Sequence, residues 1–396
     1  MNKLATIMRI LFIISSFCFS VKSQDSLSSP YNEKLVQDYL KKFGTKSLVI
    51  GVIKDGVESV KGFGKINTSG KKEITPNGNT LFEIGSITKV FTTLLLADLV
   101  KKDSIQLNEL IINLLPKNDY TYSKAIKNIS VLNLATHTSG LPRITSRSIN
   151  GFFWSRVFLP LGLYDYIFGA MNPYRNYDTT KIFKDLRYVK LENKVGTKVS
   201  YSNFGMTTLG YILTHKSKIT FDSLLKTTIL DTLKMNHTYV DLPKSAFNDF
   251  ADGHNKFGIK TPRWTFRERM GGAGSINSSM NDLMKFLEVN INNHNEYLHS
   301  LLEYCQTTQF KMSEHRNIGL GWIKSNSKNT NNKEIIWHNG GTGGFRSFIG
   351  FNIETKTGIV ILSNSANDVD NLAIDILKVL IENKVDSSLL KKASVN

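Results

Sequence analysis

Apolar and polar residues recur along the chain with two different periods, and those periods divide it into segments. After a short polar lead, YNEKLVQDYLKKFG carries the spacing of an amphipathic helix. SLVIGVIKDGVESVKGFGK follows as two strand-like runs separated by Asp55-Gly56, which predicts a β-hairpin. A polar stretch with Pro76 and Gly78 leads into FEIGSITKVFTTLLLADLVKK. There Ile87, Val90, Phe91, Leu94, Leu95 and Leu99 repeat at helical spacing as a buried stripe. Ser86, Lys89, Thr93 and Ala97 form a strip beside it. Residues 105–264 read mostly as helices and long loops, among them VLNLATHTSGLP as a helix closing at Gly140 ahead of Pro142. The C-terminal third returns to strands. EIIWHNGG, FRSFIGFN and TGIVILSN are β-branched or aromatic runs between turn residues, followed by a helix near NLAIDILKVLIEN.

The order strands, helices, strands predicts an α/β (α+β) fold with an antiparallel sheet flanked by helices. The sheet is built from both chain ends, about 31–104 and 265–390, with a mostly helical part at about 105–264 inserted between them. Ahead of this 24–390 domain, residues 1–23 read as an export signal. Lys3 and Arg9 precede the apolar ILFIISSFCFSV, and Val21-Lys22-Ser23 offers small residues at the cut. The apolar stretch is too short for a membrane anchor, so no transmembrane segment is expected after cleavage, and the protein is expected in the periplasm or outside the cell. Residues 391–396 read as a tail. The aromatic-rich run at 149–171 is broken by Arg156, Pro160 and Asp165, which makes it a poor span; packing against the helical part is its simplest reading.

Composition narrows the chemistry. The 396 residues are 41% hydrophobic and 10% aromatic, enough for a substantial core. With Cys18 in the signal, Cys305 is the only cysteine left, which excludes a disulfide framework and a cysteine metal site. The histidines show no HExxH-type pairing, so no metal or other cofactor is expected. The net charge of +17 comes from lysines spread along the whole chain rather than from a basic block. It fits anionic cell-envelope polymers as partners better than nucleic acid.

Ser86 and Lys89 stand one helical turn apart, and neither Gly85 nor Thr93 offers Lys89 a carboxylate. A lysine kept partly dry there loses its charge and becomes able to take a hydroxyl proton. S-x-x-K alone carries little, since it recurs at Ser69/Lys72, Ser223/Lys226, Ser325/Lys328 and Ser388/Lys391. Two further stretches give it weight. KVSYSNFGMTTLGYIL places Tyr201 and Asn203 two apart in a turn, a phenol that can relay a proton and an amide that can hold a carbonyl. IIWHNGGTGGFRSFIGF ends a strand in His338-Asn339-Gly340-Gly341, where bare backbone can lie against a substrate and help bind an oxyanion.

Together, Ser86-Ile87-Thr88-Lys89, Tyr201-Ser202-Asn203 and His338-Asn339-Gly340 resemble the S-x-x-K, Y-x-N and [K/H]-x-G signature of the serine β-lactamase and penicillin-recognising superfamily. The match is to its class C β-lactamase, DD-peptidase and esterase branch. FEIGSITKVFT, LATHTSGLP, NPYRNY, MGGAGSINSSMNDLMKFL and TGIVILSN also look like family segments, and the resemblance runs from about residue 46 to 385. It implies an acylated nucleophile at Ser86, a base or proton shuttle at Lys89, and a proton donor to the leaving group at Tyr201. Asn203 would help hold a small-molecule or peptide substrate, the amides of Ser86 and Gly341 would bind the oxyanion, and His338 and Asn339 would line the third side. The sequence departs from the β-lactamase form in having His338 where lysine is usual. That leaves D-amino-acid peptide, ester and β-lactam substrates open, with Arg346 a candidate for the missing charge. His137 reads as a helix-end residue satisfied by backbone. A non-catalytic envelope or peptidoglycan binder with the same fold is the alternative.

Overall fold

The structure, a computed structural model, describes residues 31–68, 71–117, 121–145, 174, 177–266, 271–292, 295–326 and 332–382. The expected export signal, the aromatic stretch at 149–171 and the tail lie outside these residues.

Helix α1 (Glu33–Phe43) starts where Asn32 accepts a hydrogen bond from the Lys34 amide and stops where Gly44 turns left-handed at φ 60°. Glu33 in its first turn and Lys41 and Lys42 in its last complement the helix dipole. Strands β1 (Ser47–Lys54) and β2 (Val57–Gly64) form the expected hairpin. Asp55 and Gly56 take φ of 51° and 78° at its tip, the paired left-handed conformation that matches strand twist. A small pair, β3 (Ile66–Thr68) and β4 (Lys71–Ile74), leads to β5 (Leu81–Glu83), which pairs with the distant β6 (Asn277–Ser279).

The late strands are β7 (Phe310–Ser313), β8 (Arg316–Ile318), β9 (Ile323–Ser325), β10 (Ile335–Gly341), β11 (Arg346–Asn352) and β12 (Thr357–Ser363). They join the hairpin in one antiparallel sheet of order β2-β1-β12-β11-β10-β9-β8-β7. The first and last thirds of the chain therefore share a sheet, in the register Leu48↔Ser363 to Lys54↔Thr357. Period-two alternation feeds two cores. Val49, Ile53, Val360 and Leu362 face one side; Leu48, Ile50, Val52, Ile359 and Ile361 face the other. Each such side chain contributes roughly 1.5–3 kcal/mol when fully buried, so both faces of the central strands must stay apolar. The second core is closed by α1 and the final helix α8 (Asp370–Glu382).

The first core surrounds helix α2 (Thr88–Lys101), which is buried at every position from Thr88 to Leu99. The sequence predicts a buried stripe with a polar strip beside it; burial extends all round because the polar side chains find partners, Asp98 accepting from Lys102 Nζ and from the Tyr297 hydroxyl. Thr92 Oγ1 donates to Gly272 O at 2.8 Å and Thr93 Oγ1 to Leu320 O at 2.9 Å. Helix α3 (Val131–Ala135) is shorter than expected and does not reach Gly140. It ends because His137 takes φ 57°, from which the chain cannot continue an α-helix, and Gly140 repeats that turn at φ 71°. Helix α6 (Met280–Ile291) packs on β1, β11 and β12 and α7 (Glu296–Gln306) on α2, while α4 (Thr179–Tyr188) and α5 (Asn203–Ser217) lie between the two sheet-forming ends in sequence.

Candidate active site

Ser86 is set by backbone contacts before any side chain acts. Gly85 sits at φ 50°, opening a single 3-10 turn (Gly85–Ile87) that runs into α2. Strand β10 crosses against this turn. A Cβ at Gly340 would lie 2.0 Å from Ile84 O, and one at Gly85 would lie 2.6 Å from Gly341 N. Only two bare backbones fit at that distance, and the fit lays Gly341 beside the turn that carries Ser86. Ser347 Oγ on β11 pins the arrangement by donating to Ile84 O at 2.8 Å.

Lys89 is fully buried, with Nζ 2.9 Å from Ser86 Oγ and 2.6 Å from Ala273 O. Burial drives its pKa well below the ordinary lysine value, and the positive field of Arg143 pushes the same way. Once it has lost its proton, Nζ can donate a hydrogen to Ala273 O and turn its lone pair to the Ser86 hydroxyl. No carboxylate among the described residues forms an ion pair with it.

Tyr201 lies over the pair, its ring centroid 4.8 Å from Lys89 Nζ and its hydroxyl in contact with Ser86. Burial pushes its pKa up to about 12, so it is a neutral phenol at physiological pH. The turn holding it is tied to the residues after α3. Ser202 Oγ donates to Pro142 O at 2.7 Å, and the amide of Asn203 donates to Arg143 O at 3.0 Å. The side-chain oxygen of Asn203 is buried and accepts no hydrogen bond within the described residues.

His137 belongs to this cluster more closely than its sequence reading implied. Its Nδ1 accepts from the Ser202 amide at 3.2 Å, as a backbone-satisfied histidine should, but its ring lies 4.5 Å from that of Tyr201. Burial holds its pKa well below the ordinary histidine value. The proton therefore sits on Nε2, which is buried without a partner among the described residues. Arg143 was not singled out by the sequence. Its guanidinium carbon lies 5.0 Å from the Tyr201 centroid on an exposed residue. The signal was the Pro142-Arg143 step following a left-handed glycine, legible only once the Y-x-N turn is known to dock there.

On β10, alternation separates the expected residues. His338 faces α2; burial pushes its pKa down to about 3, leaving a neutral ring with Nδ1 donating to Asn339 O at 2.6 Å. Asn339 faces the other side of the sheet. Its Nδ2 donates to Asp370 at the start of α8, so its side chain does not line the cleft. Arg346 sits on that same reverse face, its Nη1 donating to Thr342 O at 2.8 Å and Phe345 O at 2.9 Å. The structure thus brings Ser86, Lys89, Tyr201, His338, Gly340 and Gly341 together, with Asn203 at the start of the helix beside them. It leaves only the backbone of Asn339 on the cleft side.

The chemistry available is proton transfer among a hydroxyl, a dry amine and a neutral phenol, beside two glycines that admit a substrate. Known proteins resemble this chain in sequence and in fold. The sequence profile of the family described as Beta-lactamase matches residues 32–382. A beta-lactamase of Providencia stuartii is 26% identical over 284 residues, covering 71% of this chain and 65% of that relative. A solved class C beta-lactamase superposes with a TM-score of 0.74 at 22% identity, covering 89% of this chain and 95% of its own. The beta-lactamase/D-alanine carboxypeptidase of Pseudomonas syringae superposes at 0.72 with 20% identity, covering 89% and 98%. At these identities, the two superpositions establish the fold.

Proposed function

Because the chain belongs to the beta-lactamase family of serine hydrolases, we propose that it cleaves an amide or ester through an acyl-enzyme on Ser86. Lys89 Nζ takes the Ser86 proton as Oγ attacks the substrate carbonyl. The carbonyl oxygen, now negative, accepts from the amides of Ser86 and Gly341. As the tetrahedral intermediate collapses, the C–N or C–O bond breaks. Tyr201 gives its hydroxyl proton to the leaving atom and recovers one from the Lys89 ammonium. Water then repeats the sequence on the acyl ester, with Lys89 again the base, and frees Ser86. Asn203 holds the substrate, while His338, neutral and buried, shapes the cleft wall without supplying charge.

The observation that carries this reading is the fully buried Lys89 amine 2.9 Å from Ser86 Oγ. A binding protein gains nothing by drying an amine beside a hydroxyl, which disfavours the non-catalytic alternative. D-amino-acid peptides, esters and β-lactams are the substrate classes we assign, and a Pseudomonas syringae neighbour is a beta-lactamase/D-alanine carboxypeptidase by name. We place the protein outside the cytoplasm, on the sequence of residues 1–23; no described helix is long and apolar enough to cross a membrane. The test is turnover of a p-nitrophenyl ester, a chromogenic cephalosporin and a D-Ala-D-Ala peptide by wild type and Ser86→Ala. At least one substrate should turn over, with Ser86→Ala inactive; turnover undiminished in the variant refutes the proposal.

A further inference from the structure

We propose that Arg143 is a specificity-determining residue whose guanidinium forms an anion subsite beside Tyr201, receiving a carboxylate on the leaving-group side of the substrate. The inference rests on the proposed role of Tyr201 as donor to that leaving group.

Among the described residues placed at the site, none of the others is a permanent cation. Lys89 is a dry amine, and His137 and His338 are held neutral by burial. Arg346 lies on the far face of the sheet, bound to the carbonyls of Thr342 and Phe345. Arg143 is different on each count. A guanidinium keeps its charge throughout the working pH range. The residue is exposed, and among the described residues no carboxylate pairs with it.

Its position is fixed by the catalytic turn itself. Arg143 O accepts the Asn203 amide at 3.0 Å and the Phe204 amide at 3.3 Å, and Pro142 O accepts Ser202 Oγ. The backbone is thus locked to the segment carrying Tyr201, while the guanidinium is left over the phenol ring at 5.0 Å. A planar fork of donors in that place matches a carboxylate in shape as well as charge.

The experiment compares two esters that differ only in charge, 3-carboxyphenyl and 3-carbamoylphenyl phenylacetate, each corrected for its uncatalysed rate. The readout is the ratio of their kcat/KM values. One charge-assisted contact predicts that Arg143→Gln lowers the anionic-to-neutral ratio about 10- to 100-fold. Arg143→Lys should restore part of the ratio, and added salt should lower it in the wild type. A ratio unchanged in Arg143→Gln overturns the proposal. So does an equal fall for both esters with no rescue by lysine, which would mark a residue that only supports the turn. Turnover that survives Ser86→Ala refutes the acyl-enzyme while the ratio still judges Arg143; a wild type that cleaves neither ester overturns the Arg143 subsite and leaves the acyl-enzyme to be judged on the peptide and the cephalosporin.

Discussion

Replacing Lys89 by methionine tests the physical basis of the site through stability as well as rate. Methionine nearly fills the space of the lysine stem but binds no proton. The folded amine has a pKa below the ordinary value, whereas the unfolded chain returns it to about 10.4. Between those two values the unfolded state binds one proton more than the folded state, so wild-type stability rises with pH. The slope is ~1.4 kcal/mol per pH unit for one proton. The variant lacks that contribution. It also leaves Ala273 O, which Nζ contacts at 2.6 Å, without its donor. That costs about 1–3 kcal/mol at every pH. The slope, rather than the offset between the proteins, is therefore the diagnostic. Urea unfolding of both proteins between about pH 7 and 9 should give a stability difference that shifts toward wild type by ~1.4 kcal/mol per unit. Activity of the variant should fall about 10²- to 10⁴-fold, the usual contribution of a positioned base. A pH-independent difference would mean that the buried amine is charged in the fold, and the account of Lys89 as base would fail.

Three further outcomes follow from the geometry. His338 with a pKa of about 3 and Tyr201 at about 12 should both be silent between pH 5 and 9, so kcat/KM should rise with pH as Lys89 loses its proton. Glu83, whose buried carboxyl is pushed up to about 7, titrates in the same range, so the profile is read in Glu83→Gln as well; a falling limb near neutrality there contradicts the assignment. Gly340→Ala sets a Cβ 2.0 Å from Ile84 O and should cost about 1–3 kcal/mol or more, with at least a tenfold loss of kcat/KM; a folded, fully active variant would refute the close crossing. Asn339→Ala removes a donor to Asp370 on the reverse face, so it should lower stability by about 1–2 kcal/mol and change kcat/KM less than threefold. A collapse of activity at unchanged stability would return Asn339 to the cleft.

Much of the site was legible because its signals are local. The Asp55-Gly56 hairpin, the amphipathic spacing of α1 and the strand runs of β10 to β12 are each decided by neighbours in sequence. Helical spacing sets Ser86 beside Lys89, and the Tyr201-Asn203 and His338-Gly341 stretches single that pair out from the other S-x-x-K pairs. What escaped depends on distant partners. The face of Asn339 is set by register with β11 and by Asp370, which no local pattern specifies. The all-round burial of α2 depends on carbonyls at Gly272, Ala273 and Leu320. His137 was discounted because a backbone-bonded helix end explains one nitrogen, and only the fold places its ring against Tyr201. The β1 to β12 pairing joins residues about 300 apart, and it was reached from element order rather than from any residue in either strand.

The central claim is a covalent ester on one hydroxyl. Wild type and Ser86→Ala, each quenched in acid during turnover of a p-nitrophenyl ester, can be read by intact-mass spectrometry and peptide mapping. The account predicts an added acyl mass on the peptide carrying Ser86 in the wild type and none in the variant. An adduct on another residue, or one that persists in Ser86→Ala, would contradict it.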